Sequence, residues 1–357
     1  MDDLDLGATI KGFNPGQRIF NRYTLKKILG RGGMGVVWLA RDEKLDREVA
    51  LKFLPEVVKS DRAAMDDLKR ETRRALELTH THIVRIYDFV EDATTAAIAM
   101  EYVAGDTLSN RRLDQPARVF EPGELRRWVK QLCEALAYAH EKARIVHRDL
   151  KPANLMLDAH GDLKVADFGI SRSISDSVSR VSAQAGSSGT PAYMSPQQMM
   201  GEKPEVADDV YALGATLYEL LTGKPPFFSG NLIAQVQGKV PASIAERRRE
   251  LEVAGAPVPP EWEAAIAACL AKEPAQRPPS VREVAQRLGH AVSMDTTAPF
   301  APAPARPPLK SAVPSAAPAP AARKARPPWP ARPRSASAPA HKRRNNIPPR
   351  WQGWRRR

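Results

Sequence analysis

The densest chemistry in this 357-residue chain lies in His147-Arg148-Asp149-Leu150-Lys151-Pro152-Ala153-Asn154, followed after 12 residues by Asp167-Phe168-Gly169. A carboxylate, an amine and an amide this close together, with a second carboxylate ahead of Phe-Gly, exceed what a turn needs. Two other stretches point to phosphate. Gly30-Arg31-Gly32-Gly33-Met34-Gly35 has glycines at its first, third and sixth places, where no Cβ keeps the backbone away from phosphates. Such a pattern also marks ordinary tight turns, and a dinucleotide-binding turn when a helix follows. Here the β-type run Val36-Val37-Trp38-Leu39 follows, so a strand–loop–strand phosphate cover fits better. Val49-Ala50-Leu51-Lys52 sets a lysine in an apolar strand, where its charge loses hydration. Either Lys52 snorkels from a strand end, or it is held inward to grip phosphates, with Glu71 as candidate carboxylate partner.

The elements that must position these residues fall into two groups. From Tyr23 to about Met100 the pattern is strand-like. Tyr23–Leu29 and Val36–Ala40 flank the glycines as a hairpin, Glu48–Leu54 is a short apolar strand, and Ile83–Phe89 and Ala96–Tyr102 follow. One helix interrupts them over Ser60–Leu78, with Ser60-Asp61 suited to cap it. After Gly105 the chain turns helical: Glu121–Lys142, opened by Pro122, is amphipathic, and Ala207–Thr222 reads as a core helix. Trp262–Ala271 and Val281–Leu288 are shorter helices. The Ser-rich stretch between Ile170 and Gly189 has no period and is long for a loop.

Charge divides sharply along the chain. Fourteen of the 54 Lys and Arg, but one of the 41 acids (Asp295), lie from Ala291 onward, which leaves 40 of each sign before it. Fifteen of the 32 prolines are in that tail, so 291–357 reads as disordered and unable to bury a core. Residues 1–22 read as a loose leader. No run of 18 apolar residues occurs, and the acidic start Met1-Asp2-Asp3-Leu4-Asp5 has no apolar signal region. The expectation is a cytoplasmic chain without signal peptide or transmembrane segment. Cys133 and Cys269 lack metal-ligand spacing and read as buried thiols.

Taken together, the motifs over 23–290 resemble the eukaryotic-type (Hanks-type) serine/threonine protein kinases, particularly their bacterial branch. The resemblance implies an α+β, two-lobed fold: a β-rich N-lobe over 23–100, a hinge at 101–105 and a helical C-lobe over 106–290. It implies ATP and Mg²⁺ (or Mn²⁺) as cofactors and protein Ser/Thr hydroxyls as acceptors. On this match Gly30, Arg31, Gly32, Gly33, Met34 and Gly35 cover the phosphates. Val37 and Ala50 press on adenine from above and Met156 from below, Met100 guards the back of the pocket, and Glu101-Tyr102-Val103 forms the hinge. Lys52 pairs with the phosphates and with Glu71. Asp149 accepts the hydroxyl proton, Lys151 reaches the γ-phosphate, Asn154 and Asp167 hold Mg²⁺, and Thr190 contacts Asp149 and Lys151.

Arg148 before the catalytic Asp implies a loop ordered by phosphate. Thr190 is already committed, so the acceptor is expected to be serine: Ser182 first, then Ser179, Ser187 and Ser188, with self-association for phosphorylation in trans. One position departs from the family. Its Ala-Pro-Glu or Ser-Pro-Glu reads Ser195-Pro196-Gln197 here, so the ion pair to Arg277 is expected to weaken. Rival readings weaken on the same residues. A pseudokinase would lack one of Lys52, Asp149 or Asp167, and a small-molecule kinase would lack Gly189-Thr190-Pro191-Ala192-Tyr193. The basic tail with Trp329, Trp351 and Trp354 suggests an added contact with anionic membrane or nucleic acid, weighed against a plain linker.

Overall fold

The computed structural model describes residues 12–32, 35–115, 117–169, 174 and 191–292. The tail from 293, Gly33, Met34, Thr190 and the loop serines Ser179, Ser182, Ser187 and Ser188 lie outside the described residues.

The first lobe is an antiparallel sheet in the order β1-β2-β3-β4-β6-β5. Its strands are β1 (Arg18–Ile19), β2 (Tyr23–Gly32), β3 (Gly35–Asp42), β4 (Arg47–Phe53), β5 (Ile86–Glu91) and β6 (Ala96–Glu101). Strand β4 is central and buried on both faces. Val49, Leu51 and Phe53 join an outer cluster with Trp38 and Tyr23, whereas Ala50 faces the main core. Side chains alternate along a strand, so Lys52 shares the face of Ala50 and turns toward the second lobe. Helix α1 (Glu56–Ser60) precedes α2 (Arg62–Leu76). The Asp61 side chain caps α2 by accepting from the Ala63 and Ala64 amides. Ala64, Met65, Leu68, Thr72 and Ala75 form its buried stripe.

Part of the expected loose leader is packed. Arg18–Ile19 pairs with Tyr23 and Thr24, and the Phe13 and Phe20 rings lie 4.6 and 6.4 Å from Phe53. The expected strand Ile83–Phe89 also begins later, at Ile86. Ile83 instead bridges Val165, and the Val84 amide donates to the Val165 carbonyl at 2.9 Å. That bridge ties the first lobe to the hairpin carrying Asp167.

In the second lobe β7 (Asp106–Thr107), β8 (Leu155–Leu157) and β9 (Leu163–Val165) form a small sheet. Around it lie α3 (Leu108–Leu113), α4 (Pro122–Tyr138, continued by a π turn over Ala139–Ala143), α5 (Pro196–Met199), α6 (Val206–Thr222), α7 (Leu232–Gly238), α8 (Ile244–Glu250), α9 (Pro260–Cys269) and α10 (Val281–Arg287). Every residue of α6 from Asp208 to Thr222 is buried, in keeping with its largely apolar sequence. Gly214 permits the α6–α9 contact: a Cβ there would stand 2.6 Å from Cys269 Cβ. Cys133 and Cys269 are free and buried, as expected. Among the described residues no helix is long and apolar enough to cross a membrane.

Candidate active site

The loop between β8's approach and α4 holds the polar set. Lys151 Nζ donates to both Asp149 carboxylate oxygens, at 3.0 and 2.8 Å. Asn154 Nδ2 donates to the Asp149 carbonyl at 2.7 Å and to Oδ2 at 3.1 Å. The Ala166 amide donates to the Asn154 carbonyl at 2.9 Å, which draws Asp167 beside this loop. His147 completes the tie: its Nε2 bonds the Ala166 carbonyl at 2.9 Å and its ring lies 4.5 Å from Phe168. Arg148 and Asp167 both adopt left-handed backbone, φ 70° and 66°. Side chains rarely hold that region unless their surroundings enforce it.

The enforcing groups lie far away in sequence. Asp209, 0% exposed, accepts from the His147 and Arg148 amides at 2.7 and 2.9 Å and bonds His140 Nε2 at 2.7 Å. Burial alone would raise its pKa. The His140 hydrogen bond, the His140 and His147 charges and the His147 amide outweigh burial and hold the carboxyl below its ordinary value. Gln198 Nε2 donates to the Arg148 carbonyl at 3.2 Å, so that one residue is fixed at both ends. His140 and Gln198 were not singled out from sequence. His140 meets Asp209 across 69 residues and Gln198 meets Arg148 across 50, and no local spacing signals such contacts.

Lys52 is 5% exposed and its Nζ donates to Asp167 Oδ1 at 2.8 Å. The expected pair with Glu71 is not among the ion pairs of the described residues. Glu71 Oε1 instead accepts from Arg74 at 3.4 Å, one helical turn away on α2. Its Oε2 would lie 3.6 Å from a Cβ on Gly169, so the carboxylate still borders the Asp-Phe-Gly turn.

Sheet register gathers the remaining set. Gly30 pairs with Val37, Val37 with Lys52, and Ala50 with Met100. Ala50, Met100 and Val103 are buried in the main core, with Val37 and Met156 packed against it. A Cβ on Gly30 or Gly32 would meet nothing within 4 Å, whereas on Gly35 it would strike the Phe53 carbonyl at 2.1 Å. The first two glycines thus leave an open cradle and the third permits close strand approach. Arg31 lies between the first two, on β2. Glu101 is fixed from both sides of the hinge: Lys164 Nζ lies 2.7 Å from Oε1, and the Arg85 amide donates to Oε2 at 3.1 Å.

The donor chemistry fits a nucleotide with Mg²⁺. Asn154 spends its Nδ2 on Asp149, so its amide oxygen and the Asp167 carboxylate are the hard oxygen donors the two residues offer. Among the described residues no group of three His, Cys, Asp or Glu side chains forms a metal cage. A site completed by phosphate oxygens suits Mg²⁺ better than a cage does.

Residues 23–288 match the family described as protein kinase domain. The chain belongs to that family. The probable serine/threonine-protein kinase SCO3848 of Streptomyces coelicolor is 37% identical over 272 residues, 75% of this chain and 39% of its own length. Serine/threonine-protein kinase PknB of Mycolicibacterium smegmatis is 38% identical over 266 residues, covering 73% and 41%. The crystal structure of the Mycobacterium tuberculosis PknI kinase domain is similar at TM-score 0.62 and 28% identity, covering 78% of this chain and 99% of that one. This kinase-domain chain spans about two fifths of the length of the curated relatives it matches.

Proposed function

We propose that the chain is a serine/threonine protein kinase that transfers the γ-phosphoryl group of ATP to Ser or Thr hydroxyls of proteins. The observation that carries this reading is the meeting of two polar sets, Lys52 with Asp167 and Asp149 with Lys151 and Asn154, each tied by hydrogen bonds of 2.7–3.1 Å and joined by the Ala166 amide on the Asn154 carbonyl at 2.9 Å. Asp149 orients the acceptor hydroxyl and takes its proton as the oxygen bonds to the γ-phosphorus and the bond from that phosphorus to the β-phosphate oxygen breaks, releasing ADP. Lys151, already on that carboxylate, is placed to neutralise the phosphoryl group. Lys52 grips the other phosphates, and the Gly30–Gly35 hairpin covers them with backbone. Asn154 and Asp167 would hold Mg²⁺, which when bound would supply charge neutralisation for the transferred group. Such a reaction depends mainly on positioning and charge, which is what these residues provide.

Arg148 supports control by phosphate. Its backbone is fixed at both ends, and its buried Nε has no hydrogen-bond partner among the described residues. A phosphoserine in the loop, at Ser182 first, supplies an anion for that guanidinium. Autophosphorylation between two copies is the route.

Incubation with labelled ATP, Mg²⁺ and a generic protein substrate tests the main reading. Label on phosphoserine or phosphothreonine is expected. Label confined to small-molecule acceptors, or none in a folded preparation, would contradict it. Phosphosite mapping of an active preparation tests the loop, and an unphosphorylated loop would reject self-activation.

A further inference from the structure

Arg277 is a buried cation among neutral acceptors. It is 3% exposed, and its guanidinium donates to the carbonyls of Ala271, Ala207 and Lys272 at 2.8, 2.9 and 2.8 Å, and to Gln197 Oε1 at 2.6 Å. Gln197 Nε2 donates to the Lys272 carbonyl at 3.1 Å, so the amide can present only its oxygen to Arg277. None of these partners is charged. A buried guanidinium needs a counter-charge, or removal from water is not offset.

The buried carboxylate of this corner is Asp208, the residue after the Ala207 carbonyl that Arg277 holds. It is 3% exposed, accepts from Ser195 Oγ at 2.5 Å and from the Glu205 amide at 2.9 Å. Burial lowers the Arg277 pKa, and Asp208 is the strongest influence opposing it, ahead of Glu273. Burial raises the Asp208 pKa and the adjacent Asp209 charge adds to it; Ser195, the Glu205 amide and the Arg277 charge act against that rise without cancelling it. In a poorly polarisable interior two charges stabilise one another without touching.

We propose that Asp208 is a positioning residue that carries the counter-charge for Arg277 in place of residue 197, and so holds the Ser195–Gln198 turn against the catalytic loop. The connection runs through named atoms. Asp208 takes the Ser195 hydroxyl hydrogen, Ser195 Oγ accepts the Gln198 amide at 3.0 Å, and Gln198 Nε2 reaches the Arg148 carbonyl next to Asp149. The neighbouring Asp209 holds the Arg148 amide. Two adjacent carboxylates at the start of α6 therefore fix one residue of the catalytic loop from both sides, one directly and one through the turn.

The test is a charge relocation in the full chain, read by thermal midpoint and by steady-state kinetics. Asp208→Asn keeps the size of the side chain, removes the charge and leaves one acceptor oxygen where the carboxylate uses two. It is expected to lower the midpoint and to reduce kcat about tenfold with little change in KM for ATP. Adding Gln197→Glu to that variant should restore the midpoint and bring kcat back to within about threefold of wild type. Ser195→Ala, which cuts the connection and leaves the charge, should lower kcat and gain nothing from Gln197→Glu. If the double variant is no better than Asp208→Asn in both measurements, or if neither folds, the proposal is wrong, because a restored charge must restore the fold. The kinetic arm rests on the kinase reading. A wild-type chain without transferase activity would refute that reading and leave the thermal comparison to decide this one.

Discussion

Lys52 and Asp167, 115 residues apart, form an ion pair of 2.8 Å that joins β4 of the first lobe to the turn after β9 in the second. Both groups are assigned to phosphate and metal, so in this state each neutralises the other. Nucleotide with Mg²⁺ must compete for both partners. Lys52→Met and Asp167→Ala are each expected to lower kcat/KM by about 10²-fold or more, since each removes charge aimed at the reacting phosphates. Near-normal activity of Asp167→Ala, with circular dichroism unchanged, would contradict the metal assignment. Glu71 gives a related test. If it leaves Arg74 to meet Lys52 during turnover, Glu71→Gln slows the reaction and Arg74→Ala does not.

Lys164 on β9 holds Glu101, the first residue of the proposed hinge, at 2.7 Å. A partly exposed pair of this kind contributes about 1 kcal/mol. Lys164→Ala should therefore raise KM for ATP about fivefold and leave kcat near wild type. Steady-state kinetics over ATP concentration checks this, and an unchanged KM would show that the hinge needs no such brace.

Acid should weaken the fold through His80. Burial, with the charges of His82 and Lys164, pulls its imidazole from 6.5 down to about 4. Its ring lies 5.1 Å from Tyr138 and 5.6 Å from His82. The folded pKa is the lower one, so between these two values the unfolded chain binds the extra proton. His80's contribution is intact above pH 6.5 and is lost as pH falls toward 4. Allowing for solvent screening, the loss is about 1–2 kcal/mol. His80→Gln should flatten the thermal midpoint against pH in that window. An unchanged slope would place the acid sensitivity elsewhere.

The site was legible in sequence where its parts are local. Asp149, Lys151 and Asn154 sit on one short turn, and the alternation of β4 alone turns Lys52 to the face opposite Val49 and Leu51. The two-lobed architecture followed from strand and helix periods, and the α2 cap from Asp61. Partner choice was not legible. Glu71 pairs with Arg74 rather than Lys52 because the position of α2 decides reach, and spacing does not encode it. The leader misled for a similar reason: Phe13 and Phe20 are isolated in a segment without period, and only the fold brings Phe53 beneath them. Gln197 was expected to weaken the ion pair to Arg277, since it brings no charge. Its amide keeps a 2.6 Å bond to Arg277, and the missing charge has a candidate source in Asp208, which no local motif names.

The central claim is that Asp149 acts on the acceptor hydroxyl in transfer from ATP. Asp149→Asn preserves size and the acceptor oxygen for Lys151 and removes the basic carboxylate. The most direct measurement is the single-turnover rate of phosphate transfer to a protein serine by wild type and Asp149→Asn at saturating ATP and Mg²⁺. The expected result is a fall of about 10²–10⁴-fold with ATP affinity little changed. A rate equal to that of the wild type would contradict the account.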